Sequence, residues 1–304
     1  MQHLMALMRH CALLLLLASP AWANSLRYCD AVAATNAATQ SRLLGVAAII
    51  KAELERSGQG VALIARSGLA LQHFNQRYSH AGVSLKASAN TPWSVRQLYY
   101  ACDEQRPHIF DQGLSGFVLG ASDVSEGYIS LVFLPTDAAA ALERAALDNA
   151  LSLQLLADTY SANAYPFSPR YQNCNQWVAE LLASAWGATP GDAPRGQAQQ
   201  WLQENGFVPT EFHLGSRPMV WLARQIRWLH TDDHPEEDLD MARFKVSMPQ
   251  SIETFVRNRL PQATHVELCY TRQHVVVRRG WEPIADGCIP GSGDVQIDLD
   301  NLDD

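Results

Sequence analysis

The chain has no excess of positive charge: 23 Lys and Arg stand against 31 Asp and Glu, a net charge of −8. Without a basic footprint, neither nucleic acid nor an anionic membrane surface is expected as a partner. After the N-terminus no run approaches the roughly 20 uninterrupted apolar residues of a transmembrane helix, so stable membrane insertion is not expected either. No internal repeat is present, and no His, Cys or carboxylate group shows the fixed ligand spacing of a known metal motif. His230 to Asp238 does cluster imidazoles and carboxylates, but around Pro235, and reads as a solvated acidic loop. No metal and no cofactor is expected.

What is present fits a globular protein with an ordinary core: 304 residues, 47% hydrophobic and 18% charged. Residues 1–23 read as a secretory signal, with Arg9 and His10, an apolar stretch from Ala12 to Ala18, and a small-x-small site at Ala21-Trp22-Ala23. The mature chain is then periplasmic or secreted.

That compartment makes the cysteines informative, because paired thiols persist there as disulfides. Setting aside Cys11, within the signal, leaves five of the six cysteines: Cys29, Cys102, Cys174, Cys269 and Cys288. An odd number leaves one unpaired. Cys269 and Cys288 lie near two short strand-like runs joined by a turn and are expected to bridge. Cys29 with Cys102 would form the second disulfide, and Cys174 would remain free, although connectivity is not readable from sequence.

Hydrophobic periodicity predicts a helix over Thr35 to Arg56, then strand-like runs at Val61 to Ala65, Tyr78 to Leu85, Trp93 to Tyr100 and Tyr128 to Leu134. Helices are expected from Thr136 to Leu147, Leu151 to Asp158, Asn173 onward, Gln197 to Glu204, Val220 to Leu229 and Ile252 to Arg259. The tryptophans at 177, 186, 201, 221 and 228 fall at helical spacing and read as core. The fold class is α+β, an antiparallel sheet packed on helices. The expected boundaries are a signal at 1–23, a core at 24–190, a helical and β-hairpin C-terminal extension at 191–293 packed on it, and an acidic tail at 294–304.

Cys174 is where chemistry concentrates. Asn173 is a good N-cap, and Gln176 has the spacing to reach back to the cap's N–H. The thiol then falls in a first helical turn, where the backbone dipoles should lower its pKa toward thiolate and offer an N–H to a developing oxyanion. A partner base is found in Arg77-Tyr78-Ser79-His80-Ala81-Gly82-Val83-Ser84-Leu85, where His80 shares a face with Tyr78, Gly82 and Ser84. On the next strand, Gln97 is the short polar group in phase with Trp93, Val95 and Tyr99, and its amide oxygen can orient the imidazole. Tyr171, through its hydroxyl, and Asn173 are candidates for the oxyanion hole or cleft, and Trp93 for the cleft wall. Bland readings stay open beside these: a space-filling thiol, a structural strand histidine, a water-exposed edge glutamine.

The His-x-Gly-Val strand, a following strand with a polar residue, and a much later Asn-Cys-x-x-aromatic helix start resemble the circularly permuted NlpC-type, papain-like cysteine hydrolases, among them the lecithin:retinol acyltransferase-like and PPPDE-type proteins. The resemblance spans roughly Tyr78 to Leu182. It implies a permuted papain-like core, a nucleophile at Cys174, a base at His80 and a third residue at Gln97, where many relatives carry His, Glu or Asp. End to end, the chain also resembles an uncharacterised family of exported bacterial proteins, domain of unknown function 2145. The expected function is hydrolysis or acyl transfer at an amide or ester bond of a small-molecule, peptide or lipid substrate of the cell envelope. The alternative is a non-catalytic envelope module that binds a peptide, glycan or acyl ligand in the same cleft.

Overall fold

A computed structural model describes residues 36–69, 71–121, 123–187, 191–223 and 225–299. The expected signal segment and Cys29 lie outside them. The first described element is helix α1 (Ala37–Arg56), which begins where the Asn36 side chain accepts the Thr39 amide hydrogen at 2.8 Å. Its apolar residues Leu43, Val46, Ala47, Ile50 and Leu54 recur at helical spacing and are all buried.

Ten strands follow among the described residues: β1 (Val61–Arg66), β2 (His80–Leu85), β3 (Ser94–Ala101), β4 (Arg106–Gln112), β5 (Gly127–Phe133), β6 (Thr210–His213), β7 (Arg243–Val246), β8 (Thr264–Tyr270), β9 (His274–Arg279) and β10 (Val295–Asp298). Eight of them form one antiparallel sheet in the order β10-β9-β8-β5-β1-β2-β3-β4, and β6 pairs with β7 separately. The α+β expectation therefore stands. β1, near the middle, is buried along its whole length, which is why it reads as the unbroken run Val-Ala-Leu-Ile-Ala.

The remaining helices are α2 (Leu114–Leu119), α3 (Thr136–Leu147), α4 (Asn149–Gln154), α5 (Cys174–Trp186), α6 (Pro194–Glu204), α7 (Arg217–Ala223), α8 (Glu236–Asp240) and α9 (Pro249–Arg259). One sheet face, bearing Ala62, Ile64, Val95, Ile129 and Leu131, packs on α1 and on Phe117 of α2. On the opposite face, Leu63, Ala65, Ala81 and Val132 meet Val178 of α5 and Ile252 of α9 around a small void. The segment after residue 190 is continuous with this body, because β8, β9 and β10 are strands of the same sheet.

Several local expectations are corrected. Val295–Asp298, expected to fray as tail, pairs with β9 in full antiparallel register. The helix expected through Leu229 stops at Ala223, and Trp221 on it is 60% exposed rather than core. The 230–238 stretch is not a solvated loop: His234 and Asp238 are buried, Asp233 Oδ2 accepts the Tyr165 amide hydrogen at 2.8 Å, and Asp238 pairs with Arg243 and Lys245. Asp232, Asp233 and Asp238 each have a specific donor, while Glu236 and Glu237 are exposed, a distinction that composition alone does not reveal.

Cys269 and Cys288 are bridged, with Cα atoms 5.3 Å apart, as expected. Cys102 is disulfide-bonded, and its expected partner Cys29 lies outside the described residues. Cys174 is free and buried. A disulfide fits a chain that leaves the reducing cytoplasm. Among the described residues, no helix is long and apolar enough to cross a membrane.

Candidate functional site

The sheet opens beside His80. β3 and β4 stay paired through Ala101↔Arg106, but β2 and β3 pair only from Val83↔Arg96 to Leu85↔Ser94. Toward His80 the two strands part, and the start of α5 fills the gap. The Asn175 side chain takes the place of a strand neighbour: its Oδ1 accepts the Ala81 N–H at 2.9 Å and its Nδ2 donates to the Ser79 carbonyl at 3.2 Å. The residue after Cys174 thus clamps the backbone on both sides of His80.

His80 and Gln97 meet directly. Gln97 gives an amide hydrogen to Gln112 Oε1 at 2.7 Å, so its oxygen faces the ring, 2.6 Å from His80 Nε2. A carbonyl oxygen only accepts, so Nε2 carries the hydrogen and Nδ1 keeps the lone pair. Both side chains are buried, and Phe117 and Tyr99 enclose the imidazole with ring centroids 6.0 and 5.3 Å away. Gly82 is required here, since a Cβ on it would lie 2.5 Å from Val95 Cγ1 and 3.0 Å from the Arg96 carbonyl oxygen.

At the helix start, Asn173 Oδ1 accepts the Gln176 N–H at 2.7 Å, as expected of an N-cap. The reciprocal half of the capping box is absent: Gln176 Nε2 goes to Glu180 and to the carbonyls of Tyr165 and Pro166. The backbone N–H groups of Cys174 and Asn175 and the Tyr160 hydroxyl all point hydrogen bonds at the thiol. These favour thiolate, yet burial outweighs them and pushes the Cys174 thiol up to about 11. This reverses the expectation of a lowered value: a helix start lowers a thiol's pKa only where the charge it favours is not also stripped of water. Burial likewise drives His80 down to about 3, helped by the nearby positive charge of Arg66 and opposed by the bond to Gln97. At neutral pH the pair is uncharged.

The other expected residues are placed differently. The Tyr171 hydroxyl donates to Asp232 Oδ1 at 3.0 Å, and its ring stacks on His230 at 4.3 Å, so its hydroxyl hydrogen is taken. Trp93 is fully buried at the far end of β2, with its backbone N–H on the Leu85 carbonyl and its indole N–H on Glu55. It lines no cleft at Cys174. Asn173, besides capping, donates to the Ala162 and Ser247 carbonyls. Sequence reasoning missed Asn175, Tyr160 and Gln112. Asn175 had a signal, a polar residue beside a candidate nucleophile; Tyr160 and Gln112 lie in segments without usable periodicity.

Behind the site, Glu180 of α5 is wholly buried and accepts from Arg195, Gln172, Gln176 and Gln199, which ties α5 to α6 and to the 165–172 segment. Among the described residues, no group of three or more His, Cys, Asp or Glu side chains is arranged to hold a metal ion.

The fold and site define an α+β protein with an eight-stranded antiparallel sheet and a helix-start cysteine whose following residue, Asn175, is hydrogen-bonded to the backbone on both sides of a strand histidine. Residues 53–256 match the family described as "uncharacterized protein conserved in bacteria (DUF2145)", and the chain belongs to that family. No curated protein and no solved structure matches the chain.

Proposed function

We propose that this protein is an exported cysteine hydrolase or acyltransferase acting on an amide or ester bond of a cell-envelope substrate, with Cys174 as nucleophile, His80 as base and Gln97 as the residue that orients the base. The observation that supports the reading is the Asn175 clamp: the residue after a free helix-start cysteine holds the backbone on both sides of a histidine whose Nε2 is already engaged by Gln97. His80 Nδ1 takes the thiol proton as sulfur attacks the carbonyl carbon. The carbonyl electron pair moves onto oxygen, where the Cys174 backbone N–H receives it. Collapse breaks the amide or ester bond, the imidazolium returns the proton to the departing amine or alcohol, and water or an acceptor then cleaves the thioester. Because the resting pair is neutral, proton transfer accompanies attack instead of preceding it.

The test is to incubate the protein with a p-nitrophenyl ester and locate the acyl group by mass spectrometry. An adduct on Cys174, absent in Cys174→Ala and formed more slowly in His80→Ala, is the expected result. No adduct, or one on another residue, refutes the proposal. One observation favours the second reading, a binding module: the neutral Gln97 and the raised thiol suit a site that holds a ligand without attacking it. Ligand affinity undiminished in Cys174→Ala, with no turnover by either form, would establish that reading.

A further inference from the structure

Arg66, the last residue of β1, is 4% exposed. A buried guanidinium is costly unless an anion or a full set of acceptors meets it. What meets Arg66 is neutral: Nη1 donates to the Ser67 carbonyl at 3.2 Å, the cation lies 5.4 Å from the centre of the Phe117 ring, and Nε is buried with no partner. Among the described residues, no carboxylate pairs with it. Two other buried arginines show what a satisfied one looks like here. Arg195 is bound to Glu180, and Arg96 grips both oxygens of Asp111 at 2.8 and 2.6 Å.

Two glycines let the Arg66 guanidinium pack close against the backbone. A Cβ on Gly68 would lie 2.8 Å from Nη1, and one on Gly120 would lie 2.8 Å from Nη2. Arg66 also neighbours His80. Arg66 stands directly opposite His80 in the β1–β2 ladder, so the two side chains leave the same face, and Phe117 lies against both.

We propose that Arg66 is the anion-recognising residue of the Cys174 site, and that the substrate is an acyl compound carrying a carboxylate beside the bond that is cut, such as a peptide with a free carboxylate next to the scissile carbonyl. The inference rests on Cys174 being the nucleophile. A guanidinium presents two parallel donors that match the two oxygens of a carboxylate, and the unused Nε supplies one of them. Binding would also prepare the base. Arg66's charge holds down the proton affinity of His80, and a bound carboxylate cancels that charge just as the imidazole must accept the thiol proton.

The test compares alkylation of Cys174 by iodoacetate, which carries a carboxylate, with alkylation by neutral iodoacetamide. The same thiolate attacks the CH2 carbon of either reagent and expels iodide, so the ratio of the two rates is independent of the thiol's ionisation and of how often the site opens. The ratio should exceed that of free cysteine by about tenfold, the worth of one charge-assisted hydrogen bond. It should fall to the free-cysteine value in Arg66→Gln and keep part of the preference in Arg66→Lys, which serves as the comparison if Arg66→Gln does not fold. A melting series in sodium acetate against sodium chloride at equal ionic strength supplies a readout that needs no thiol chemistry. The wild-type melting temperature should rise more in acetate, and that of the variant should not. Equal alkylation ratios in wild type and variant, with Cys174 reacting, overturn the anion site alone. If Cys174 reacts with neither reagent, even with the pH raised, the nucleophile reading falls, and an acetate response identical in wild type and variant overturns the anion site as well.

Discussion

Cys174 should behave at rest as a thiol, not a thiolate, and its alkylation rate as a function of pH tests this directly. With the thiol at about 11 and the imidazole at about 3, moving the proton from sulfur to ring in the closed site costs roughly 11 kcal/mol before the two new charges attract. That attraction, about 4 kcal/mol for charges 4 Å apart in a protein-like medium, recovers less than half. A preformed ion pair is therefore not expected in the closed protein. At pH 7 about one thiol in ten thousand is ionised, against about one in a hundred for an unperturbed cysteine, so iodoacetamide should label Cys174 about a hundredfold more slowly than a free thiol. The rate should climb tenfold with each pH unit through pH 9. Stopped reactions read by mass spectrometry, with Cys174→Ala as control, give the profile. A plateau between pH 6 and 8 would mean an ion pair already exists, and would refute both the burial argument and the mechanism of concerted proton transfer.

Three further outcomes are expected. Burial raises Glu253 from its ordinary value to about 7, so the native state holds its proton more tightly than the unfolded chain. Stability should then be greatest below about pH 4.5 and fall as pH rises toward 7, by at most about 3 kcal/mol because the residue is only partly buried, with no such slope in Glu253→Gln urea denaturation. Glu180→Ala leaves Arg195 buried without its carboxylate and should cost about 3–5 kcal/mol; the double variant with Arg195→Met should cost less than the two single changes together, and strict additivity in urea midpoints would contradict the coupling. Asn175→Ala strips the Ala81 N–H and the Ser79 carbonyl of their partner and should cost about 2 kcal/mol, while increasing hydrogen exchange at the Ala81 amide; unchanged exchange there would show that the clamp does not hold in solution.

Much of the fold could be read along the chain because it is governed by short-range pattern. The α1 stripe, the β1 run, the His80 strand and the Asn173 cap each follow from residues within a turn or two of one another, and each is found where the pattern puts it. The Cys269–Cys288 bridge was legible for the same reason, since 19 positions of chain joined by a turn bring the two together. β10 was not legible, because an acidic, half-polar segment becomes a strand only when the edge of β9 is there to pair with it.

The residue types at the candidate site were set by the sequence alone: a cysteine at a helix start, a histidine on a strand, an amide in phase on the next. Their energetics were decided only by the tertiary structure. Local dipoles favour a thiolate, but desolvation depends on what packs overhead, and that packing comes from residues far along the chain. The same holds for Arg66, an ordinary strand-end arginine in the sequence. Only folding, which buries it opposite His80 with no carboxylate paired to it among the described residues, leaves it without a bound counterion.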